Sequence, residues 1–197
     1  MIKRLFDIII SLIGLLVLSP ILVVLGFLIL LLMSWPIFYI QIRVGKYGKE
    51  FKMLKYRTMI LNPTKQDSSF DLGDKSRITS FGKLLRKTKI DEFPQLLNVL
   101  AGDMSFVGPR PEVKKWTEVY PEKWAIVHTV RPGITDNASI EFRNEEALLS
   151  ESLDPEQTYH DVILPHKLDL YIDYVNNHSF AGDILIILRT IKTILFR

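Results

Sequence analysis

The chain has 197 residues, no cysteine and a formal net charge of +3. Without cysteine there is no disulfide framework, no thiolate catalysis and no Cys-ligated metal. This length allows one membrane element and one modest globular domain whose core needs no disulfides. The charge is uneven: residues 1–60 carry eight Lys/Arg against Asp7 and Glu50, while residues 141–183 carry ten acids against Arg143 and Lys167. A basic part flanking an apolar run suits contact with anionic headgroups. No nucleic acid is expected as a partner, because no RNP-like, zinc-finger or helix-turn-helix signature is present.

Leu5–Met33 is almost wholly apolar. Its stretch 8–33 would reach about 39 Å as a straight helix at about 1.5 Å per residue, enough for a hydrocarbon core of about 30 Å. A cleaved signal peptide fits poorly, since the run is too long and lacks a small-residue cleavage site. Ser19-Pro20 stands at its midpoint, where proline removes a backbone donor and kinks a helix. Lys3 and Arg4 precede the run, and Arg43, Lys46, Lys49 and Lys52 follow it. Positive charge marks the cytoplasmic side, so a re-entrant helix broken at Ser19-Pro20, with both ends cytoplasmic, meets the pattern most simply. Ser19 or Ser11 hydroxyls would then serve the freed carbonyls, and Asp7 would pair with Lys3 or Arg4. An ordinary kinked transmembrane helix is the alternative.

The remaining elements follow in order. Ile37–Ile42 and Glu50–Tyr56 are β-prone runs around a Gly-bearing turn, which reads as a hairpin. Residues 61–76 are polar and turn-rich, as in a mobile surface loop. Ser80–Ile90 reads as a basic amphipathic helix suited to a membrane surface or as an ordinary core helix with a solvated cationic face. Asp91–Leu100 reads as a second helix with Asp91 as N-cap, proline in its first turn, and Leu96, Leu97, Val99 and Leu100 on its buried side. Residues 105–111 must be extended, because the residue before each proline is pushed out of the helical region; this segment would hold Arg110 in a fixed direction. Trp116, Tyr120 and Trp124 share a predicted helix at core spacing. Arg131–Thr135 reads as a stiff cationic turn, 141–161 as acidic helix, Pro165–Val175 as helix, and Ile184–Arg197 as a basic amphipathic tail able to lie on a bilayer. The four histidines lack metal-site spacing. The Asn-x-Ser matches at Asn137 and Asn177 mean nothing in a cytoplasmic domain.

Asp91-Glu92 is the chemical focus. Adjacent helical residues point about 100° apart, so the two carboxylates cannot do the same work on one ligand atom: one can attack while the other holds a metal. A helix N-terminus would keep Asp91 ionised and favour a phosphate, and Arg86, Lys87, Lys89 and Arg110 could complete an anion site. Carboxylate nucleophilic catalysis is the natural covalent option without a thiol, and oxygen ligands with phosphate point to Mg²⁺. A capping Asp beside a salt-bridged Glu is the structural alternative.

The chain resembles the bacterial sugar transferases, the small monotopic polyprenyl-phosphate phosphoglycosyl transferases. The matching text is Lys3-Arg4-x-x-Asp7, Ser19-Pro20, Arg43-Val44-Gly45-x-x-Gly48-x-x-Phe51, Lys55–Met59, Arg77-Ile78-Thr79-x-x-Gly82-x-x-Leu85-Arg86, Asp91–Leu96 with Asn98-Val99-Leu100, Gly102–Pro111 and Arg131–Thr135. The resemblance implies an α+β fold, mainly α with a small β-hairpin, a re-entrant membrane helix over 1–36 and a cytoplasmic catalytic domain with interfacial helices over 37–197. It implies transfer of a sugar-1-phosphate from a UDP-sugar to undecaprenyl phosphate with release of UMP, through a ping-pong sequence at the cytoplasmic face of the bacterial inner membrane. Asp91 matches the nucleophile that forms an aspartyl-phosphosugar, and Glu92 the Mg²⁺ ligand. Arg86 and Arg110, with Lys55, Arg57 and Arg131, are the candidates for substrate contacts. The phospholipid bilayer is an expected partner, and a homodimer is an open one. The family turn usually reads Arg-Pro-Gly-Ile-Thr-Gly, whereas here Asp136 follows Thr135, which bears on local backbone and sugar contacts. Two rivals stay open: a membrane-bound glycosyltransferase releasing UDP, and a non-catalytic membrane-tethered binding protein.

Overall fold

The computed structural model describes residues 2–61 and 77–196. Apart from Leu61, the loop expected over 61–76 lies outside the described residues. The chain forms two compact units, divided differently from the expected 1–36 and 37–197. Among the described residues the first unit takes 2–42, 52–61 and 77–102, and the second takes 43–51 and 103–196. The apolar segment is therefore not a unit by itself.

In the first unit, α1 (Ile2–Met33) is long and apolar enough to cross a membrane. Helix runs through Pro20 without a gap, so the expected break is not an interruption of secondary structure. Proline at position 20 frees the carbonyl of Leu16, and Ser19 Oγ donates to that oxygen at 2.8 Å. The expected serine compensation is thus present at Ser19. Ser11 Oγ is buried without a partner. Arg4 bonds backbone instead of only neighbouring side chains: its Nη1 and Nη2 donate to Val99 O at 2.6 Å and Leu100 O at 3.0 Å. Large parts of α1 remain uncovered, with Leu16 77% and Val23 72% exposed.

A hairpin follows, with β1 (Phe38–Val44) beside β2 (Glu50–Tyr56). Tyr56 lies in a cluster with Ile29 and Leu85, against which Leu22, Leu25 and Met33 of α1 pack. Its hydroxyl donates to Leu22 O at 2.8 Å, and burial pushes its pKa to about 12, so it stays a donor. α2 (Ser80–Thr88) is N-capped by Thr79, whose hydroxyl accepts from Gly82 N. Glycine is required at 82, since a Cβ there would stand 2.0 Å from Thr58 O. α3 (Gln95–Ala101) is shorter than expected and closes on Gly102 in the left-handed conformation. Leu97 is exposed, and Gln95 and Asn98 join Leu96 and Val99 on the buried side.

In the second unit, β3 (Ser105–Val107) pairs in parallel with β4 (Gly133–Thr135), Ser105 opposite Gly133 and Val107 opposite Thr135. The expected Arg131–Thr135 turn is therefore largely strand. Residues 108–111 carry no regular secondary structure, with a bend at Gly108, and a Cβ on Gly133 would meet Gly108 N at 2.2 Å. The expected single helix through Trp116 and Trp124 is two, α4 (Lys114–Thr117) and α5 (Pro121–Val127), divided where proline starts α5. Both tryptophans are core residues, as their spacing indicated, packed with Tyr159, Leu164, Leu168 and Tyr171.

Three short helices follow, α6 (Asn137–Glu141), α7 (Glu145–Glu151) and α8 (Pro155–Thr158), then a π-helical stretch over Tyr159–Ile163 that leads into α9 (Leu164–Asn177). Asp136 is the N-cap of α6: its backbone is extended and its carboxylate accepts from Ser139 N and Oγ. The residue standing where the resemblance expects glycine thus starts a helix. α10 (Phe180–Leu195) is pinned through Asp183, which accepts from Tyr174 OH at 2.8 Å, and Ile186, which packs on Val107 and Tyr174.

Candidate active site

The carboxylate pair sits in the first unit, and its local geometry differs from the sequence expectation. α2 stops at Thr88 because Lys89 adopts a left-handed conformation, φ 59° and ψ 13°, with its N–H bonded to Arg86 O and Leu85 O. Ile90–Glu92 then form one 3-10 turn, and α3 begins only at Gln95. Asp91 is not a helix N-cap, so the helix field assigned to it has no basis here.

What surrounds Asp91 instead is apolar burial and charge. Its residue is 7% exposed, and Oδ1 is buried without a hydrogen-bond partner. Burial, then the neighbouring Glu92, push its carboxyl above the ordinary range. Lys55, Lys89 and Arg86 pull it back without cancelling the rise. Glu92 accepts from Lys55 Nζ at 2.9 Å. Arg86 is aimed by Thr58, whose hydroxyl accepts from its Nε at 2.9 Å. The two carboxylates therefore differ: one is ion-paired, the other is buried with an open oxygen.

Of the predicted substrate contacts, the structure brings Lys55 and Arg86 to the pair. Arg57 has another task. It is buried, and its Nη2 donates to Met33 O and Ser34 O at the C-terminal end of α1. Burial lowers its pKa. Arg110 and Arg131 belong to the second unit; Arg110 Nη1 donates to Ile134 O at 3.5 Å, and Arg131 leads into β4.

Glu92, as an oxygen donor, is the residue that could hold Mg²⁺ here. Among the described residues no three His, Cys, Asp or Glu cluster, which leaves an oxygen pair at Asp91 and Glu92. Mg²⁺ is commonly held by one or two carboxylates with waters and substrate phosphates completing the octahedron, and Asp91 Oδ1 is an oxygen still in want of a partner.

The sequence model of the bacterial sugar transferase family matches residues 1–197. The chain belongs to that family. This sugar transferase is 38% identical over 194 residues to an uncharacterized sugar transferase, EpsL, of Bacillus subtilis (strain 168), covering 98% of the chain and 87% of that protein. It is 35% identical over 197 residues to the UDP-N-acetylgalactosamine-undecaprenyl-phosphate N-acetylgalactosaminephosphotransferase of Aeromonas hydrophila, covering 98% of the chain and 44% of that protein. It is 32% identical over 212 residues to the undecaprenyl-phosphate galactose phosphotransferase of Salmonella typhimurium, covering 99% and 40%.

Sequence reasoning missed three features of the sugar transferase. Thr58, beside the predicted Arg57, orients Arg86. Asn98 ties β2 to α3 through both ends of its amide. In the second unit Glu112, 3% exposed, accepts from Arg43 Nη1 at 2.9 Å and Tyr159 OH at 2.6 Å, with Lys167 Nζ at 3.6 Å. Arg43 and Glu112 both lie within or beside matched motifs, which was the available signal. Tyr159 and Lys167 carried none.

Proposed function

We propose that the chain transfers a sugar-1-phosphate from a UDP-sugar to undecaprenyl phosphate, releasing UMP. The observation that carries this reading is Asp91: a buried carboxylate with an unpartnered oxygen, beside a Glu92 already held by Lys55. Names of relatives point the same way, since two of them describe undecaprenyl-phosphate sugar phosphotransferases.

In the first half-reaction an Asp91 oxygen attacks the β-phosphorus of the UDP-sugar. The bond from that phosphorus to the bridging oxygen breaks, and UMP leaves with the electron pair. The result is an aspartyl-phosphosugar. In the second, an oxygen of undecaprenyl phosphate attacks the same phosphorus and the Asp91 carboxylate is released. Burial strips water from Asp91, while Lys55, Lys89 and Arg86 pull its raised carboxyl back down and would face the diphosphate. Glu92 would hold Mg²⁺, which would supply charge neutralisation on the diphosphate.

The membrane reading rests on how α1 packs. Near its start Arg4 clamps the end of α3, and a Cβ on Gly14 would lie 3.3 Å from Leu96. Towards its end, Ile29 and Met33 pack with Tyr56 and Leu85. An upright span would carry α3, Tyr56 and Leu85 into hydrocarbon, whereas a re-entrant helix leaves them at the cytoplasmic interface. On this reading the reaction would lie where a soluble nucleotide sugar meets a lipid phosphate.

The test is UMP release across a panel of UDP-sugars with undecaprenyl phosphate and Mg²⁺. UMP formation dependent on Asp91 supports the reading; UDP as product would indicate sugar transfer without phosphate.

A further inference from the structure

A two-stranded sheet leaves β2 one edge not taken by β1, and unpaired N–H and C=O groups on such an edge must find partners or water. Asn98 supplies them. Its Oδ1 accepts from Leu54 N at 3.0 Å, and its Nδ2 donates to Lys52 O at 2.7 Å. Along a strand the C=O of one residue and the N–H of the second residue after it face the same edge. One side-chain amide can therefore stand in for the peptide group of a neighbouring strand. Asn98 does this from within α3 while only 4% exposed.

The next residue of β2 is Lys55, whose Nζ reaches Glu92 Oε1 at 2.9 Å. Glu92 lies in the turn just ahead of α3. The same two pieces of chain are thus tied twice, once by Asn98 and once by the ion pair. Because side chains alternate along a strand, a slip of one residue would turn Lys55 to the opposite face.

We propose that Asn98 is a positioning residue: by fixing the register of β2 against α3 it sets the Lys55 ammonium on Glu92, beside Asp91. The role in the reaction rests on the phosphoglycosyl-transfer reading above. Asn98 touches no substrate in this account and acts through Lys55 alone. Its loss should then mimic the loss of Lys55.

The experiment compares Asn98→Asp, which keeps the acceptor but loses the donor, with Lys55→Met and the double variant. Asn98→Leu serves as a second substitution, and each is checked by thermal melting. UMP release is measured against UDP-sugar concentration. The expected result is a fall in kcat of at least about tenfold in Asn98→Asp, with KM within about twofold. Both single variants should show this split between kcat and KM, and the double variant should be no worse than Lys55→Met, since residues acting as a unit are non-additive. Losses that multiply, or an unchanged kcat in Asn98→Asp, overturn the proposal. Failure of both Asn98 variants to fold overturns it too, assigning Asn98 to the frame alone. Undiminished UMP release in Lys55→Met overturns the proposal too, since Asn98 acts through Lys55; no UMP from the wild type instead overturns the reading on which the proposal rests.

Discussion

Asp91→Asn should abolish transfer and at the same time stabilise the protein at neutral pH. Asp91 is 7% exposed, with one oxygen unpartnered, and its carboxyl is raised from an ordinary 3.8 by burial and by Glu92. A raised carboxyl binds its proton more tightly in the folded chain than in the unfolded one. Folding stability therefore falls as pH climbs from the ordinary value to the raised one, and stays low above it. Asparagine removes that penalty by removing the charge. An unsatisfied buried neutral group costs about 1–3 kcal/mol and a charge more; asparagine keeps the first cost and removes the excess, taken as about another 1–3 kcal/mol. At about 2–4 °C per kcal/mol for a chain of this size, Tm should rise by about 2–12 °C. Losing an anion among Lys55, Lys89 and Arg86 opposes this, but their pull does not cancel the rise in Asp91, so the sign stands. The assay is thermal unfolding of both proteins in one detergent from pH 4 to 9. The gap should be widest in alkali and close towards acid as the wild-type carboxyl protonates. A lower Tm for Asp91→Asn at pH 8, or a gap indifferent to pH, would refute the reasoning.

Three further outcomes follow from the structure. Lys89 holds a left-handed backbone that costs a non-glycine residue about 1–2 kcal/mol, partly offset by unfolded-chain entropy. Lys89→Gly should therefore gain about 0.5–1 kcal/mol in urea unfolding while shifting the acid limb of UMP release upward, since a cation that lowers Asp91 is lost. Glu112→Gln leaves buried Arg43 and Lys167 undercompensated; breaking such a pair costs about 3–5 kcal/mol, a fall in Tm of about 6–20 °C. Lys167 and Arg43, outweighing burial, hold the Glu112 carboxyl below its ordinary 4.5. Its contribution is present above the unfolded value and is lost as pH falls through the folded one, so the two proteins should converge in acid. Single cysteines at positions 2 and 60 of this cysteine-free chain should both resist a periplasmic thiol reagent; labelling at position 2 alone would indicate an upright span.

Much of the frame was legible because it is local. Alternating β-prone residues around Gly45 and Gly48 marked the hairpin, and apolar periodicity marked α9 and α10. Ser19-Pro20 indicated both the freed carbonyl and its hydroxyl. The misses have physical causes. β3 and β4 are three residues each and pair across a long stretch of sequence, so neither shows a strand period of its own. Nothing in a lysine announces a left-handed turn, yet Lys89 ends α2, replaces the expected helix at Asp91 with a 3-10 turn, and brings a cation to the carboxylate. A glycine would have been easier to read there and would have carried no charge. Arg57 stood among the candidate substrate contacts through the family motif, but its guanidinium donates to the carbonyls of Met33 and Ser34. The Asp91-Glu92 pair could be singled out from sequence, but the burial of Asp91 with one oxygen unpartnered was visible only in three dimensions.

The central claim is that Asp91 carries the phosphosugar, and intact-protein mass spectrometry tests it most directly. Purified protein is mixed with a UDP-sugar and Mg²⁺ without undecaprenyl phosphate, quenched and weighed. The expected result is an added sugar-phosphate mass that maps to Asp91, is absent in Asp91→Asn, and disappears when undecaprenyl phosphate is added. Full turnover with no adduct at any time, or an adduct that persists in Asp91→Asn, would contradict the account.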